Sequence, residues 1–260
     1  MPKIVALVKH TPDLASDRSY ADDLTVDREG VDCHLSELDE YTAEQAIALS
    51  EKVPGTEITY LTIGPEDADA TLRKALAMGG DRGVHVLDDA LHGSDASATA
   101  RTLVAALGRL DYDLVMCGMS STDGAMGVLP AMLAEHLGLP QVTYAVSLTC
   151  DGTTVEAVRE SDEGTEELVC ELPAVVSVTD RTGEARYPSF KGIMAAKKKP
   201  VETWTLADLG LGADSVGAAG SRTAVREAVR RPPRQAGEQV KDDGEGGAVL
   251  ADYLARNKFI

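Results

Sequence analysis

The feature that most constrains this fold is a regular alternation of short apolar runs and helical patterns over residues 4–137. Each apolar run has the length of a buried strand, and each is followed by apolar residues at helical spacing. Such alternation predicts βαβ units, in which parallel strands form a sheet covered by helices. The predicted strands are residues 4–8, 58–63, 84–87 and 114–117, and the predicted helices begin near Ser36, Pro65, Ser94 and Val128.

The segment between the first strand and the first helix breaks this alternation. Residues 10–31 are polar and turn-rich, which predicts a long loop or a short hairpin. Ser36 then offers an N-cap hydroxyl, and acidic residues at positions 37, 39 and 40 favour a first helical turn. The first helix is therefore expected to begin at the end of this polar segment.

A second pattern follows Pro140. Residues 142–148, 153–158 and 166–172 resemble short antiparallel strands, and Asp151-Gly152 suits a hairpin turn between the first two. Residues 174–178 form another buried strand. The predicted fold class is therefore α/β, a three-layer fold whose mostly parallel sheet is flanked by helices and extended by β-hairpins.

The composition changes at Gly210, where Gly, Ala, Ser, Arg and Pro become dominant. Runs such as residues 230–234 and 242–247 cannot build a core. Residues 249–260 form an amphipathic helix candidate, which is a docking arm if it meets a partner and a frayed terminus if it does not. We expect a nucleotide-binding α/β domain over residues 1–209 and an extended C-terminal arm over residues 210–260.

Charge and composition limit the partners. The net charge is -18 and the sequence pI is about 4.6, which disfavours nucleic acid and anionic membrane surfaces. The four cysteines lack a CxxC pair, so the sequence signals neither a zinc site nor a disulfide framework. The N-terminus has no signal-peptide pattern, and no apolar run reaches membrane-spanning length. We therefore expect a cytoplasmic protein.

The strongest local site signal is the loop Gly118–Gly127, which follows a predicted strand and precedes a predicted helix. Ligands bind there in open α/β sheets, and glycines let backbone amides approach an anion at the helix N-terminus. The loop lacks the GxxxxGK[ST] and GxGxxG patterns. It can therefore be a nucleotide site or an ordinary capped loop, and its candidate residues are Gly118, Ser120, Ser121, Thr122, Asp123, Gly124, Ala125, Met126 and Gly127.

Other strand ends reach the same edge of the sheet. An adenine could lie against Leu7 and Ile63 while backbone groups near residues 36–39 read its edge, although these residues could equally be core. No GxSxG, HxxxH or HExxH pattern occurs, so no catalytic residue and no metal site is predicted. A nucleotide pocket without catalytic groups favours a carrier or a structural nucleotide. The additional candidates are Leu7, Ser36, Glu37, Leu38, Asp39 and Ile63.

The segment Arg186–Lys199 stands out because it places three consecutive lysines in an acidic chain. Pro188 removes a backbone donor and Gly192 adds freedom, so we expect a loop here and no regular helix. That loop would display Phe190, Ile193 and Met194 beside the lysines, as a protein docking surface does. A core segment followed by a solvated lysine run is an equally good interpretation of the pattern alone.

The Arg186–Lys199 segment resembles the signature of the electron transfer flavoprotein β subunit. The resemblance extends along the whole chain, through several separate motifs in the same order. They are Val8-Lys9, Arg73–Gly79 with Asp81-Arg82, Ser121–Gly124, Arg159-Glu160 with Asp162 and Gly164, Leu172–Val176, and Ala236–Glu238.

This resemblance implies an adenine-nucleotide α-hydrolase-like fold and a heterodimer with an α subunit. The pair would carry one FAD, held mainly by the α subunit, and the β subunit would hold AMP as a structural nucleotide. The protein would be an electron carrier and not an enzyme. In fatty acid β-oxidation, electrons would arrive from acyl-CoA dehydrogenases and similar flavoenzymes and leave to a quinone oxidoreductase.

The resemblance also implies roles for individual residues. Leu7, Ser36–Asp39, Ile63 and Gly118–Gly127 would hold the nucleotide. Phe190 would enter a pocket on the dehydrogenase, flanked by Ile193 and Met194, while Lys197, Lys198 and Lys199 steer acidic partners. Glu160 would face the α subunit near the flavin, and the segment from Ala236 would embrace that subunit.

Two departures from the family pattern concern the nucleotide site. Ala125-Met126-Gly127-Val128 stands where many members have Asp-Thr-Gly-Gln, and Ser36 replaces a frequent Asn. Backbone amides remain to bind an anion.

Three alternative functions remain open from the sequence. The first is a bifurcating-type β subunit with a second FAD in the nucleotide site. The second is a free-standing adenine-nucleotide-binding domain, against which the hairpins, the Phe190 segment and the C-terminal arm argue. The third is an adenylate-transferring enzyme, which would need a pyrophosphate-gripping loop that this sequence lacks.

Overall fold

The computed structural model describes residues 2–237 and 239–260, so Glu238 of the predicted Ala236–Glu238 motif lies outside the described residues. The chain divides into two compact units, Met1–Arg226 and Glu227–Ile260. The first unit contains the sheet and all but one of the described helices. The predicted division at residue 210 and the docking role of the arm stay predictions.

The order of elements confirms the predicted alternation. The described strands are β1 (Lys3–Leu7), β2 (His10–Pro12), β3 (Cys33–Leu35), β4 (Glu57–Ile63), β5 (Arg82–Val86), β6 (Leu114–Gly118), β7 (Gln141–Cys150), β8 (Thr154–Ser161), β9 (Gly164–Glu171), β10 (Ala174–Val178) and β11 (Val201–Trp204). The described helices are α1 (Glu37–Lys52), α2 (Ala68–Met78), α3 (Ala96–Leu107), α4 (Leu129–Leu137), α5 (Phe190–Ala196), α6 (Gly217–Gly220) and α7 (Gly246–Arg256).

A nine-stranded sheet forms the centre of the first unit, in the order β11-β5-β4-β1-β6-β10-β7-β8-β9. The pairs from β11 to β7 are parallel, and β7, β8 and β9 are antiparallel. This arrangement confirms the three-layer α/β class with β-hairpin additions. The short strands β2 and β3 pair antiparallel, but residues 13–32 connect them, so most of the polar segment 10–31 is the long loop that was one of the two predicted alternatives.

Both faces of the sheet are covered by helices. Along β1, Ile4 and Ala6 pack with residues of α1 and α2, whereas Val5 and Leu7 pack with residues of α3 and α4. Successive side chains of a strand point to opposite faces, so one short apolar strand serves both cores. Helices therefore lie on both sides of the strand ends where the predicted site lies.

The segment Arg186–Lys199 differs from the sequence prediction. Residues Phe190–Ala196 form the helix α5, although the sequence predicted a loop with no regular helix. Pro188 lies before the helix, where it removes no helical hydrogen bond, and the Ser189 hydroxyl accepts from the Gly192 amide at 3.0 Å. The sequence prediction did not consider Ser189 as an N-cap, and this cap allows the helix to begin although Gly192 lowers helix propensity.

One predicted helix start is corrected, and one predicted N-cap hydrogen bond does not form. The helix α2 begins at Ala68 and not at Pro65, which lies in the preceding turn. Ser36 occupies the N-cap position of α1, but its side chain makes no capping hydrogen bond. The α1 N-terminus instead has Glu37, Asp39 and Glu40 in its first turn, in accord with the helix dipole.

Residues 213–223 fasten the end of the first unit to α3. The Asp95 side chain accepts from the amides of Ala98, Arg222 and Thr223 at 2.8–2.9 Å. Arg101 donates to the carbonyl oxygen of Ser215. These contacts order a segment that has almost no core of its own.

The second unit is built around α7. None of the α7 residues is buried, and Leu250 and Tyr253 are among its exposed apolar side chains. Within the described residues, no helix combines the length and apolar character that a membrane crossing requires.

Candidate functional site

The candidate site lies where the strand order of the sheet reverses. The chain adds β4 and β5 on one side of β1, then returns to add β6 on its other side. The connections that leave β1 and β6 therefore diverge to opposite faces and leave a crevice outside the carboxyl ends of these strands. Lys9 follows β1 and the loop Gly118–Gly127 follows β6, so both border this crevice.

Asp39 joins the start of α1 to both strand ends. Its Oδ2 accepts from the Lys9 amide at 2.8 Å, and Gly118 lies so close that an added Cβ would be 2.6 Å from Asp39 Oδ1. Burial raises the pKa of the Asp39 carboxyl to about 7, although the hydrogen bond from the Lys9 amide opposes this shift. The crevice thus contains a buried carboxyl group that titrates near neutral pH.

Asp123 is the electrostatic centre of the loop. Its side chain is only 2% exposed and accepts from Lys9 Nζ at 2.8 Å, and it also forms an ion pair with Arg28. Burial raises the Asp123 pKa, but the charge of Lys9 and the hydrogen bonds of Lys9 and Ser121 outweigh burial and lower it to about 2. A buried carboxylate with two cations is ionised, so it fixes the loop against β1 and the β2–β3 connection.

The β2–β3 connection packs over the same loop. Arg18 Nη1 donates to the Thr122 carbonyl oxygen at 2.6 Å, and the Thr122 hydroxyl donates to Thr11 Oγ1 at 3.1 Å. The Ser121 hydroxyl accepts from the Gly124 amide at 3.2 Å. The first half of the loop is therefore held by its own side chains and by residues far away in sequence.

The second half of the loop is more open. Gly124, Ala125 and Met126 are exposed, and both Ala125 and Gly127 have positive φ angles, 51° and 65°. The Tyr144 hydroxyl donates to the Gly127 carbonyl oxygen at 3.2 Å. The loop therefore presents backbone, and not polar side chains, in its second half.

The structure places the remaining candidates around the same strand ends. Leu7 is buried at the end of β1, Ile63 ends the adjacent strand β4, and the Leu38 carbonyl lies against Gly118. The Ser36 hydroxyl and Glu37 Oε2 are buried, and residues 2–237 and 239–260 offer them no hydrogen-bond partner. Ser120 is half-buried in the loop.

Sequence reasoning missed the basic side chains of the crevice. The sequence places Lys9 at the end of the first strand but assigns it no role in the site, and Arg28 and Arg18 lie in a polar segment with no recognisable spacing. The position of Lys9, directly after a buried strand, could have identified it because side chains at strand ends face the crevice. For Arg28 no local signal exists, since it reaches Asp123 across 95 positions of sequence.

One cluster with ligand-like spacing lies near the start of α1. Asp13, His34 and Glu37 each offer one possible ligand atom, and these atoms lie within 4.8 Å of one another. His34 Nε2 is 3.1 Å from Glu37 Oε1. The three residues are half-buried, and Asp13 Oδ1 also accepts from the Ala15 amide at 2.7 Å.

Except for Glu160, the predicted docking residues lie on α5 and in the residues that follow it. Phe190 is 80% exposed, and Ile193 and Met194 are also exposed. Lys197 and Lys198 are exposed, whereas Lys199 Nζ donates to the Leu76 carbonyl oxygen at 2.8 Å. Glu160, on β8, forms an ion pair with Arg181. The apolar side chains are thus displayed as expected, but by a helix.

Comparison with known proteins covers the whole chain. The electron transfer flavoprotein domain model matches residues 23–209. An electron transfer flavoprotein subunit beta from Mycobacterium bovis is 46% identical over 266 residues, with both chains fully covered. The chain belongs to the electron transfer flavoprotein family, among its β subunits.

More distant members of the electron transfer flavoprotein family also align over most of the chain. A subunit beta from Clostridium acetobutylicum is 32% identical, with 99% of each chain covered. The caffeyl-CoA reductase-Etf complex subunit CarD from Acetobacterium woodii is 30% identical, with 92% of this chain and 91% of the relative covered. The crevice loop and α5 both lie within residues 23–209, the range that the electron transfer flavoprotein domain matches.

Proposed function

We propose that this electron transfer flavoprotein β subunit works as half of a heterodimeric electron carrier. With an FAD-bearing α subunit it accepts electrons from acyl-CoA dehydrogenases and similar flavoenzymes and passes them to a quinone oxidoreductase. The observation that carries this proposal is the exposed apolar surface of α5, with Lys197 and Lys198 beside it, on a chain that matches β subunits along its full length.

The α5 surface suits a transient partner of defined chemistry. An exposed aromatic side chain flanked by Ile193 and Met194 can fill an apolar pocket, and such anchors dominate binding energy at interfaces. The two exposed lysines favour a partner whose pocket has an acidic rim. A dehydrogenase that must bind, transfer electrons and release benefits from a small anchored contact of this kind.

The crevice residues fit an adenine nucleotide. The buried Ser36 hydroxyl and Glu37 Oε2 have no hydrogen-bond partner among the residues that the structure describes, so they can bond to a ligand. Gly118, Gly124 and Gly127 let the loop backbone approach an anion, and Lys9 and Arg28 supply positive charge nearby. We propose that these residues hold AMP in a structural role, where it ties β1, β6 and α1 together.

The FAD would be held mainly by the α subunit, with Glu160 of this chain facing that subunit. When bound, the flavin supplies the electron-carrying chemistry. This chain would cover one side of it, exclude water and present α5 to the donor. The C-terminal segment from Ala236 would embrace the α subunit.

Purification of the heterodimer tests these proposals together. We expect one flavin per complex, AMP in the extract and a second, larger chain. Two flavins without AMP would instead identify a bifurcating-type carrier with a second FAD in the crevice. A colourless protein that purifies alone would contradict the carrier proposal.

Two variants separate the nucleotide site from the subunit interface. Ser36→Ala removes the unpartnered hydroxyl and should lower the AMP content, whereas Ser50→Ala, which loses only a local bond to the Ile47 carbonyl, should not. Truncation after Ala236 should weaken subunit association and leave AMP binding unchanged. A truncated heterodimer as stable as the full one would contradict the proposed role of the arm.

A further inference from the structure

The helix α5 is fastened to the C-terminal end of α2 by reciprocal contacts. Arg73 Nη1 donates to the carbonyl oxygens of Ala196 and Lys199, each at 3.0 Å. In return, Lys199 Nζ donates to the Leu76 carbonyl oxygen at 2.8 Å. The C-terminal end of α5 therefore receives hydrogen bonds from Arg73 of α2, and that of α2 receives one from Lys199, which follows α5; both cations also complement the helix dipoles.

The two helices also approach closely between these polar contacts. A Cβ added to Gly192 would overlap the carbonyl oxygen of Ala77, so only glycine allows α5 to lie at this distance from α2. Ala196 is the one buried residue of α5. The apolar residues that would ordinarily hold a helix in place thus point outward from α5 and are exposed.

A helix of seven residues is too short to be stable by itself in water. Its N-terminus is capped by Ser189, and the preceding Arg186 is bound to Glu44 and Glu51 of α1 by hydrogen bonds of 2.7–3.2 Å. Arg73 supplies the corresponding support at the C-terminus. With one buried residue, α5 depends on these polar contacts for its orientation.

We propose that Arg73 is a positioning residue for partner docking: it holds α5 on α2 so that Phe190, Ile193 and Met194 form one outward surface. This inference rests on the proposed function, in which α5 docks onto a dehydrogenase. Arg73 acts through α5 and does not itself touch the partner. Lys199 belongs to the same support, while Lys197 and Lys198 face solvent.

The expected consequence is a change in apparent affinity and not in the electron-transfer step. If the docking-competent orientation of α5 is occupied for a fraction of the time, the apparent dissociation constant rises by the inverse of that fraction. Loss of Arg73 that lowers this occupancy to about one tenth would raise KM about tenfold. The rate at saturation would stay the same, because the docked complex is unchanged.

The test measures reduction of the heterodimer by a purified acyl-CoA dehydrogenase that reduces the wild type. Arg73→Gln should raise KM for the heterodimer about tenfold with kcat and flavin content unchanged. Arg73→Lys, which keeps one charged donor, should restore part of the loss. Arg82→Gln, which breaks the ion pair with Glu202 and the hydrogen bond to the Thr59 hydroxyl away from α5, is the matched control and should change neither parameter.

A double-mutant cycle distinguishes positioning from general destabilisation. With Phe190→Ala already present, the anchor is lost and KM depends less on the orientation of α5. Arg73→Gln should then raise KM by much less than tenfold. Fully additive effects, or a fall in kcat with no change in KM, would overturn the inference. If Phe190→Ala alone has no effect, the docking proposal itself fails, whatever Arg73 does.

Two further variants distinguish the contact of α5 with α2 from the intrinsic helix propensity of α5. Gly192→Ala favours the helix intrinsically but must displace α5 from Ala77, so KM should rise. Ala195→Gly, at an exposed position of the same helix, lowers helix propensity without touching α2 and should change KM less. The opposite order of effects would show that α5 needs only helicity, and would contradict a role for its support.

Discussion

The crevice and the α5 surface both contain charged side chains, but these are paired around a buried carboxylate in the crevice and exposed beside α5. In the crevice, the charged groups converge: Asp123 is almost fully buried and binds Lys9 and Arg28. On α5, the lysines diverge: Lys197 and Lys198 point to solvent beside exposed apolar side chains. The crevice arrangement holds loops in fixed positions. The α5 arrangement leaves apolar side chains exposed to water until a partner covers them.

This difference shows that burial determines whether a charged side chain mainly stabilises the fold or mainly acts on an approaching partner. A buried ion pair resists the loss of either member, because the remaining charge would be left in a poorly solvated place. An exposed charge contributes little to stability but acts on an approaching partner through its field. Substitutions in the crevice should therefore change stability, and substitutions on α5 should change electron-transfer kinetics.

The largest expected effect is the pH dependence due to Asp39. Its pKa is raised from 3.8 to about 7, so the folded state resists ionisation while the unfolded state ionises freely. The contribution of this group to stability is complete below pH 3.8 and is lost as the pH rises towards 7, by up to about 4 kcal/mol. Urea unfolding of the heterodimer between pH 4 and 7 should show this slope.

Asp39→Asn keeps the group neutral and should flatten that slope. Asp123 provides an internal contrast, because its lowered pKa affects stability only as the pH falls from 3.8 towards 2. Parallel stability curves for the wild type and Asp39→Asn between pH 4 and 7 would contradict this prediction.

The second effect is the loss of the Asp123 carboxylate. Asp123→Asn leaves Lys9 and Arg28 beside a neutral amide, and we expect a loss of about 2–3 kcal/mol. The loss is below that of a fully buried pair because the two basic side chains are 41% and 26% exposed. Urea unfolding midpoints provide the measurement. Asp111→Asn, which breaks the exposed pair with Lys3, should leave the midpoint almost unchanged.

The third effect is kinetic. Phe190→Ala should lower kcat/KM for reduction by an acyl-CoA dehydrogenase about 30-fold, the loss typical of an interface anchor. Flavin content should stay intact, because Phe190 packs little within the chain. Val225→Ala, at another exposed apolar position, is the control and should have no effect on kcat/KM. Loss of flavin in Phe190→Ala would indicate a folding role instead.

The smallest effect concerns the lysines. Lys197→Gln and Lys198→Gln should each slow association about threefold at low ionic strength, and the difference should vanish at about 1 M salt. Lys199→Gln should behave differently, because it loses the bond to the Leu76 carbonyl, and its effect on KM should persist at high salt. An identical salt dependence for all three variants would contradict the prediction that Lys197 and Lys198 steer the partner whereas Lys199 holds α5 in place.

Strand and helix periodicity in the sequence predicted most of the fold correctly. The four βα alternations, the antiparallel additions after Pro140 and the three-layer class are confirmed, because side-chain periodicity decides which faces are buried. The prediction for Phe190–Ala196 was wrong because local propensity was judged from Pro188 and Gly192 alone. The Ser189 cap and the support of Arg73 outweigh that propensity.

The sequence by itself determined the parallel sheet, the loop after β6 as candidate site, the apolar residues of α5 and the family. Only the tertiary structure decided that Asp123 pairs with Lys9 and Arg28, that Asp39 is buried between two strand ends, and that Lys199 differs from its neighbours. Periodicity and capping act over a few residues, so they can be read along the chain. Charge pairing and burial depend on residues about 30 to 125 positions apart, which only the folded chain brings together.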